Sequence, residues 1–266
     1  MLRRLNPDIL IFGLYGGNPA GFHDYERTLA HWLDDNWAYN EEKDSEWKWR
    51  HGDRMICLWF TQRGLLFEWD TLIVMQWDML ALASVEKLFS MLRPGELYLP
   101  GLRPLSEIES QWWWTQPDTE VYDDYIAFKA WLNEHSVYPI TLQACQFFTA
   151  ALPRSFLQRY ADIQNPELGF LEYKIPAYAS LFGNPVRDLL HLPVNWFGKP
   201  PPGKRTTLTT AKAEIPTATI AAERLTPGGA RLFHPVTVRF PSARLGLMIW
   251  LLQQSITALV RRSRFF

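Results

Sequence analysis

The chain has 266 residues, enough for one large domain or one domain with an appendage, and well above the size at which core burial becomes marginal. Apolar residues make up 47% of it, charged residues 21%, and the formal net charge is −1, which leaves no electrostatic footprint for nucleic acid. Cys57 and Cys145 are the only cysteines, both in apolar stretches and neither in a paired metal spacing, which argues against a disulfide framework or structural zinc and for a reducing cytoplasm.

At the start, Arg3 and Arg4 are followed at once by Pro7 and Asp8, and the apolar run at 9–14 is too short for a signal sequence or a membrane span. Residues 9–12 predict a buried strand that ends in a tight loop through Gly13, Gly16, Gly17, Asn18 and Pro19. A helix is expected next, because Phe22, Tyr25, Leu29, Trp32 and Leu33 recur at spacings of three and four with Asp24 and Glu26 near its start. A strongly charged stretch at 40–53 leads to a segment at 70–78, the middle of which has the uninterrupted hydrophobicity of a central parallel strand covered on both faces. Ser84 is placed to cap a helix carrying Val85, Leu88, Phe89 and Leu92, stopped by Pro94 and Gly95.

Further strands are expected at 96–99 and 140–150, with a helix at 122–132 between them. This alternation implies an α/β fold with a mostly parallel central sheet flanked by helices, whose ligands bind beyond the C-terminal strand ends. The proline run at 199–205 reads as a loop or linker, and the Thr- and Ala-rich stretch up to Ala222 has no clear periodicity. Leu245, Met248, Ile249, Leu252, Ile256, Leu259 and Val260 form the stripe of a C-terminal amphipathic helix that ends in a basic aromatic tail. Gln253 and Gln254 interrupt its apolar run, so it is read as packing on the domain, joining two copies, or lying at a membrane surface, but not as a span. The division expected is one domain over 1–240 and the helix and tail over 241–266.

Three residues stand out for chemistry. Asp78 follows Gln76 and Trp77 at the end of the apolar strand, where a buried carboxylate needs a hydrogen-bond network or a cation; capping of the next loop is the structural alternative. Glu172 lies between Gly169, which permits a sharp turn, and Pro176, which suits the first turn of a helix. An apolar surround from Phe170 and Tyr173 would raise its pKa towards that of a general base, whereas a structural glutamate would cap the helix or pair with Lys174. His234, in Leu232-Phe233-His234-Pro235-Val236, is either a satisfied structural histidine or a metal ligand.

Nucleotide-binding candidates are weaker. Gly13 and Tyr15 belong to a glycine loop that lacks the spacing of a dinucleotide fingerprint and the Lys and Ser or Thr of a P-loop. Between residues 43 and 54, Trp47 or Trp49 could stack on a base while Lys48, Arg50 or Arg54 meets phosphate, with Asp53 beside them; a solvated charged loop is the plainer reading. Trp112, Trp113 and Trp114 cannot all face one core, so at least one belongs near the surface, in a packed loop or an acceptor-sugar platform.

The strand from Asp70 to Asp78 resembles the metal-binding strand end of GT-A glycosyltransferases, which often carries an Asp-x-Asp motif; here Gln76 replaces the first acid. The Glu172 segment is similar to the acid-bearing helix start of inverting members, and the Phe233-His234-Pro235-Val236 element to the histidine that such enzymes bring back to the metal. The resemblance covers about residues 8 to 240. It implies a Rossmann-like nucleotide-binding half, Mn²⁺ or Mg²⁺ held by Asp78 and His234, a nucleoside diphosphate sugar donor and a carbohydrate acceptor. It further implies Glu172 as base in an inverting transfer, with Gly13, Tyr15, Lys48, Arg50, Asp53, Gln76 and Trp77 around the nucleotide. A retaining transferase, or a non-catalytic carbohydrate-binding or assembly protein on the same scaffold, are the rival readings. A cytoplasmic protein, at most peripheral to a membrane, is expected.

Overall fold

The structure is a computed structural model that describes residues 2–189, 194–197, 205–210 and 214–237. The chain begins with α1 (Leu2–Leu5), β1 (Phe12–Tyr15), α2 (Phe22–Leu29), β2 (Asp35–Ala38), α3 (Ser45–Arg50), α4 (Gly52–Gln62) and β3 (Thr71–Met75). It continues through β4 (Leu80–Ala81), α5 (Val85–Leu88), β5 (Leu97–Leu99), β6 (Arg103–Pro104), α6 (Tyr122–His135), β7 (Gln143–Ala144) and β8 (Thr149–Pro153). The remaining elements are α7 (Arg154–Tyr160), α8 (Leu171–Leu181), β9 (Val186–Asp188), β10 (Val194–Asn195), β11 (Leu208–Thr209), α9 (Thr217–Leu225) and β12 (Leu232–Phe233). They fall into two compact units. The larger holds Pro7–Val74 and Met91–Leu189; the smaller holds residues 2–6, Met75–Ser90 and the described residues beyond 190.

The fold is mixed α/β, but its sheet is not mostly parallel. In the larger unit the strand order is β3-β8-β5-β9; β5 runs antiparallel to β8, with Tyr98 opposite Ala151, and parallel to β9, with Leu97 opposite Val186. β1 and β2 form a separate parallel pair, and β6 with β7 an antiparallel one. The single strand expected at 140–150 is two short ones, because the backbone between them bonds elsewhere: the Cys145 amide donates to the Glu172 carbonyl at 3.0 Å and the Gln146 amide to the Pro100 carbonyl at 2.9 Å. β3, expected deep in the sheet, is instead its edge strand and is half-buried along its length. Hydrophobic continuity measured its affinity for the sheet but not its place in it.

The core of the larger unit gathers Leu97, Leu99, Phe128, Ala150, Ala151, Phe156, Tyr173 and Ile175, all nearly inaccessible to water. Burying a large apolar side chain of this kind contributes on the order of 1.5–3 kcal/mol. The helix predicted to carry Pro176 in its first turn begins at Leu171, with Pro176 in its interior. A proline there has no N–H for the carbonyl four residues earlier, which is that of Glu172; the Cys145 amide and thiol occupy this carbonyl instead. An internal proline thus ties α8 to the segment that follows β7.

In the smaller unit, β12 pairs antiparallel with β4, setting Leu232 opposite Ala81 and Phe233 opposite Leu80. Leu80, Ile215, Ile220, Phe233 and Val236 form its apolar cluster. Ser84 caps α5 as predicted, its hydroxyl accepting from the Lys87 amide, while the buried Asn6 side chain accepts from Val85 N at 2.7 Å. α9 occupies part of the stretch that showed no periodicity in the sequence. The helix and tail at 241–266 and most of the proline run at 199–205 lie outside the described residues. Among the described residues no helix is long and apolar enough to cross a membrane.

Candidate metal centre and the other predicted site residues

After β3 the chain turns tightly, with the Met79 amide bonded to the Gln76 carbonyl, before it enters β4. The backbone then fixes Asp78 against the last strand: its carbonyl accepts from Val236 N at 2.7 Å, and the Leu82 amide donates to Arg231 O at 2.8 Å. His234 directly follows β12 and is held from its other side by β11. Its amide donates to Thr207 O at 2.9 Å, and its carbonyl accepts from Thr209 N at 3.1 Å. Two segments far apart in sequence are thereby locked together by main-chain hydrogen bonds, and their side chains meet. His234 Nε2 lies 3.0 Å from Gln76 Oε1, a partner 158 positions away, and 3.4 Å from Asp78 Oδ1.

The other ring nitrogen decides what this cluster can do. His234 Nδ1 is 2.9 Å from the Thr209 carbonyl, an acceptor only, so Nδ1 carries the proton. Burial lowers the imidazole pKa, against the attraction of Asp78 and the Thr209 bond, and favours the neutral ring. The Nε2 lone pair of that ring then faces Asp78 Oδ1 and the Gln76 amide. Asp78 Oδ1 is buried and makes no hydrogen bond among the described residues; its contact with Nε2 is close but lacks hydrogen-bond geometry. Asp78 Oδ1 and Gln76 Oε1 both lie within 3.4 Å of His234 Nε2, nitrogen and oxygen donors of the kind that could hold a divalent cation, and the Thr209 carbonyl orients the ring from behind. Without a cation, a half-turn of the Gln76 amide lets its NH₂ donate to Nε2.

Among the described residues no three His, Cys, Asp or Glu side chains form a group able to hold a metal. Asp78 and His234 are two such ligands and Gln76 adds a neutral oxygen, so other ligands would have to complete the shell of any cation held here. Trp77, between the two strand-end residues, is 85% exposed, so its indole stands in solvent beside this centre.

Of the three residues expected at one cleft, Asp78 and His234 meet within the smaller unit, whereas Glu172 belongs to the larger one. Glu172 lies in the first turn of α8 rather than before it. Its Oε1 accepts from the Phe147 amide at 2.7 Å, and the residue is half-buried. Desolvation pushes its pKa up to about 8, against the Phe147 hydrogen bond, which favours the ionised form. The carboxyl therefore titrates close to neutrality, as proton transfer requires.

The nucleotide candidates of the larger unit have separate fates. Gly13 is in the middle of β1, opposite Asn36, and a Cβ there would come within 2.2 Å of the Tyr25 hydroxyl, so its missing side chain is needed for packing. Tyr15 packs against Phe22 and Tyr25 with its ring tilted to both, and its hydroxyl donates to Asn18 O at 3.1 Å. Lys48 reaches from α3 to the Gly17 carbonyl at 3.4 Å and lies over the Tyr39 ring, which joins the charged helix to the glycine loop. Arg50 lies over Trp114 and 3.9 Å from Asp124.

Asp53 corrects the sequence reading. It is 3% exposed, and its Oδ2 accepts from Lys174 Nζ at 2.8 Å and from the Tyr160 hydroxyl at 2.6 Å. Lys174 is wholly buried and also donates to Pro166 O. A buried cation in α8 demanded a carboxylate, and α4 supplies it, so Asp53 is a core partner and not a nucleotide contact. Lys174 thus pairs with Asp53 rather than with Glu172. The sequence offers Lys174 only as a partner for Glu172; the signal of its burial is a lysine flanked by Tyr173 and Ile175 on a helix that is apolar around most of its circumference. In comparisons with known proteins no family model matches the chain and no curated protein matches it.

Proposed function

We propose that the chain is a metal-dependent glycosyltransferase that moves a sugar from a nucleoside diphosphate sugar to a carbohydrate hydroxyl, on a GT-A-like scaffold. The observation that carries this reading is the convergence of Asp78 and His234, held by main-chain bonds at a strand end with Nε2 of a neutral ring 3.4 Å from a buried Asp78 oxygen. A divalent ion such as Mn²⁺ or Mg²⁺ at these donors would neutralise charge on the departing diphosphate. The protein offers few ligands, so metal affinity is expected to be weak alone and to rise when the diphosphate contributes its oxygens.

Glu172 is the base in this reading. The carboxyl is held by the Phe147 amide and titrates near neutrality, so a large share of it is ionised at mildly alkaline pH and able to take the proton of an acceptor hydroxyl. The inverting outcome follows from that role; a retaining product, read from its anomeric configuration, would reassign Glu172 to positioning the acceptor. Replacement of the first motif acid by Gln76 favours a second reading, a carbohydrate-binding protein without catalysis. Calorimetric titration of Mn²⁺ with nucleoside diphosphates separates the two. Binding lost in Asp78→Asn and His234→Ala supports the transferase, and saccharide binding with no nucleotide binding supports the alternative.

A further inference from the structure

The larger unit carries an aromatic group that the proposed chemistry does not use. Trp114 and Phe170 are nearly buried and stacked, 3.6 Å between ring centroids and 11° between planes. On this base sit two indoles that reach solvent. Trp49, from α3, packs 5.0 Å from Trp114 and is 57% exposed; Trp113 meets Trp114 edge-on at 4.8 Å and is 42% exposed. The two exposed rings are therefore no more than about 10 Å apart, a span that two linked pyranose rings can bridge. Arg50 lies over Trp114 at 5.8 Å and forms a loose pair with Asp124 at 3.9 Å, both side chains about one quarter exposed.

Exposed tryptophans fixed on a packed base present a large contact area with little rotamer entropy left to lose. A solvent-exposed apolar group of this kind marks a binding surface. The polar rim decides the occupant. Arg50, over the Trp114 ring, supplies donors, and Asp124 beside it, whose oxygens accept from the Gly169 amide at 3.1 and 3.2 Å, keeps further lone pairs as acceptors; together they match the hydroxyls of a neutral sugar while the indoles meet its C–H faces. An anionic ligand would meet the Asp124 carboxylate, and an acyl chain or apolar peptide would strip water from the Arg50–Asp124 pair without replacing its hydrogen bonds. We infer that Trp49 and Trp113, with Arg50 and Asp124 at their edge, form a binding platform for a neutral oligosaccharide. This platform is independent of nucleotide and metal, and it stands whether or not the chain transfers sugar.

The test titrates maltohexaose, cellohexaose, mannohexaose and chitohexaose into the full chain without metal or nucleotide, read by tryptophan fluorescence and saturation-transfer NMR. At least one hexasaccharide is expected to bind, with affinity falling about tenfold or more in Trp49→Ala and Trp113→Ala and largely kept in Trp49→Phe and Trp113→Phe. The phenylalanine variants keep an aromatic face and so separate loss of stacking from loss of fold. Failure of all four sugars to bind at up to about 10 mM, or unchanged binding in both alanine variants, would overturn the inference. So would docking of the wild type on phosphatidylcholine vesicles with the same dependence on Trp49 and Trp113 in place of sugar binding. None of these outcomes depends on the Mn²⁺ and nucleotide titrations that test the transferase.

Discussion

Replacing Glu172 by Gln should stabilise the protein, and by an amount that grows with pH. The folded carboxyl titrates at about 8 against an ordinary value of 4.5, because burial disfavours its charge. Between those two values the native state keeps a proton that the unfolded chain has released, so stability falls as pH rises through this window and levels off above about 8. At about 1.4 kcal/mol per pH unit the full difference approaches about 4–5 kcal/mol, an upper figure because water still reaches part of the residue. Glutamine has no proton to lose, and its carbonyl can still accept the Phe147 amide that now bonds Oε1 at 2.7 Å. Urea unfolding of wild type and Glu172→Gln at about pH 5, 7 and 9, followed by tryptophan fluorescence, should show near-equal stability at the acid end and a gap of a few kcal/mol in favour of the variant at the alkaline end. A gap that stays constant with pH, or a wild type that gains on the variant as pH rises, would refute the buried-carboxyl reasoning. If Glu172 is also the base, the more stable variant is inactive at every pH, the expected relation between stability and a working site.

Further outcomes follow from the same geometry. Asp78→Asn and His234→Ala should each abolish Mn²⁺ binding in the presence of a nucleoside diphosphate while the circular dichroism spectrum is unchanged; metal binding retained in both would remove the proposed centre. Asp53→Asn or Lys174→Met, breaking a buried ion pair from either side, should each cost about 3–5 kcal/mol in denaturant unfolding, and the double variant should lose less than the two single losses combined. Gly169→Ala should lose more than about 1 kcal/mol, because φ is +81° and a Cβ would lie 2.9 Å from the Phe128 ring; a thermal midpoint equal to wild type would contradict the packing described.

Much of the local structure was readable from pattern. Ser84 as a cap, the helix from Tyr122 and the strand ending at Leu99 follow from short-range rules that depend on neighbouring residues alone. The tryptophan triplet also behaved as steric sense required, with Trp112 and Trp114 buried and Trp113 exposed. Strand pairing was not readable in this way. β5 lies antiparallel to β8 and parallel to β9, and hydrophobic runs carry no record of direction or partner. Pro176 misled because a proline is tolerated inside a helix once the carbonyl it deprives finds a donor elsewhere, here the Cys145 amide, which no local window contains.

The candidate site divides along the same line. Residue chemistry marked Asp78 and His234, because a carboxylate closing an apolar strand and a histidine in an apolar segment each require a partner, and that requirement is visible in one dimension. Their meeting at 3.4 Å and the commitment of Asp53 to Lys174 depend on segments more than a hundred residues apart being brought together by folding, and the proton assigned to Nδ1 depends on the Thr209 carbonyl 25 residues away. Sequence names the groups that need company; the long-range main-chain pairing of β4 with β12, and the buried side-chain contact of α8 with α4, decide which company each of them keeps.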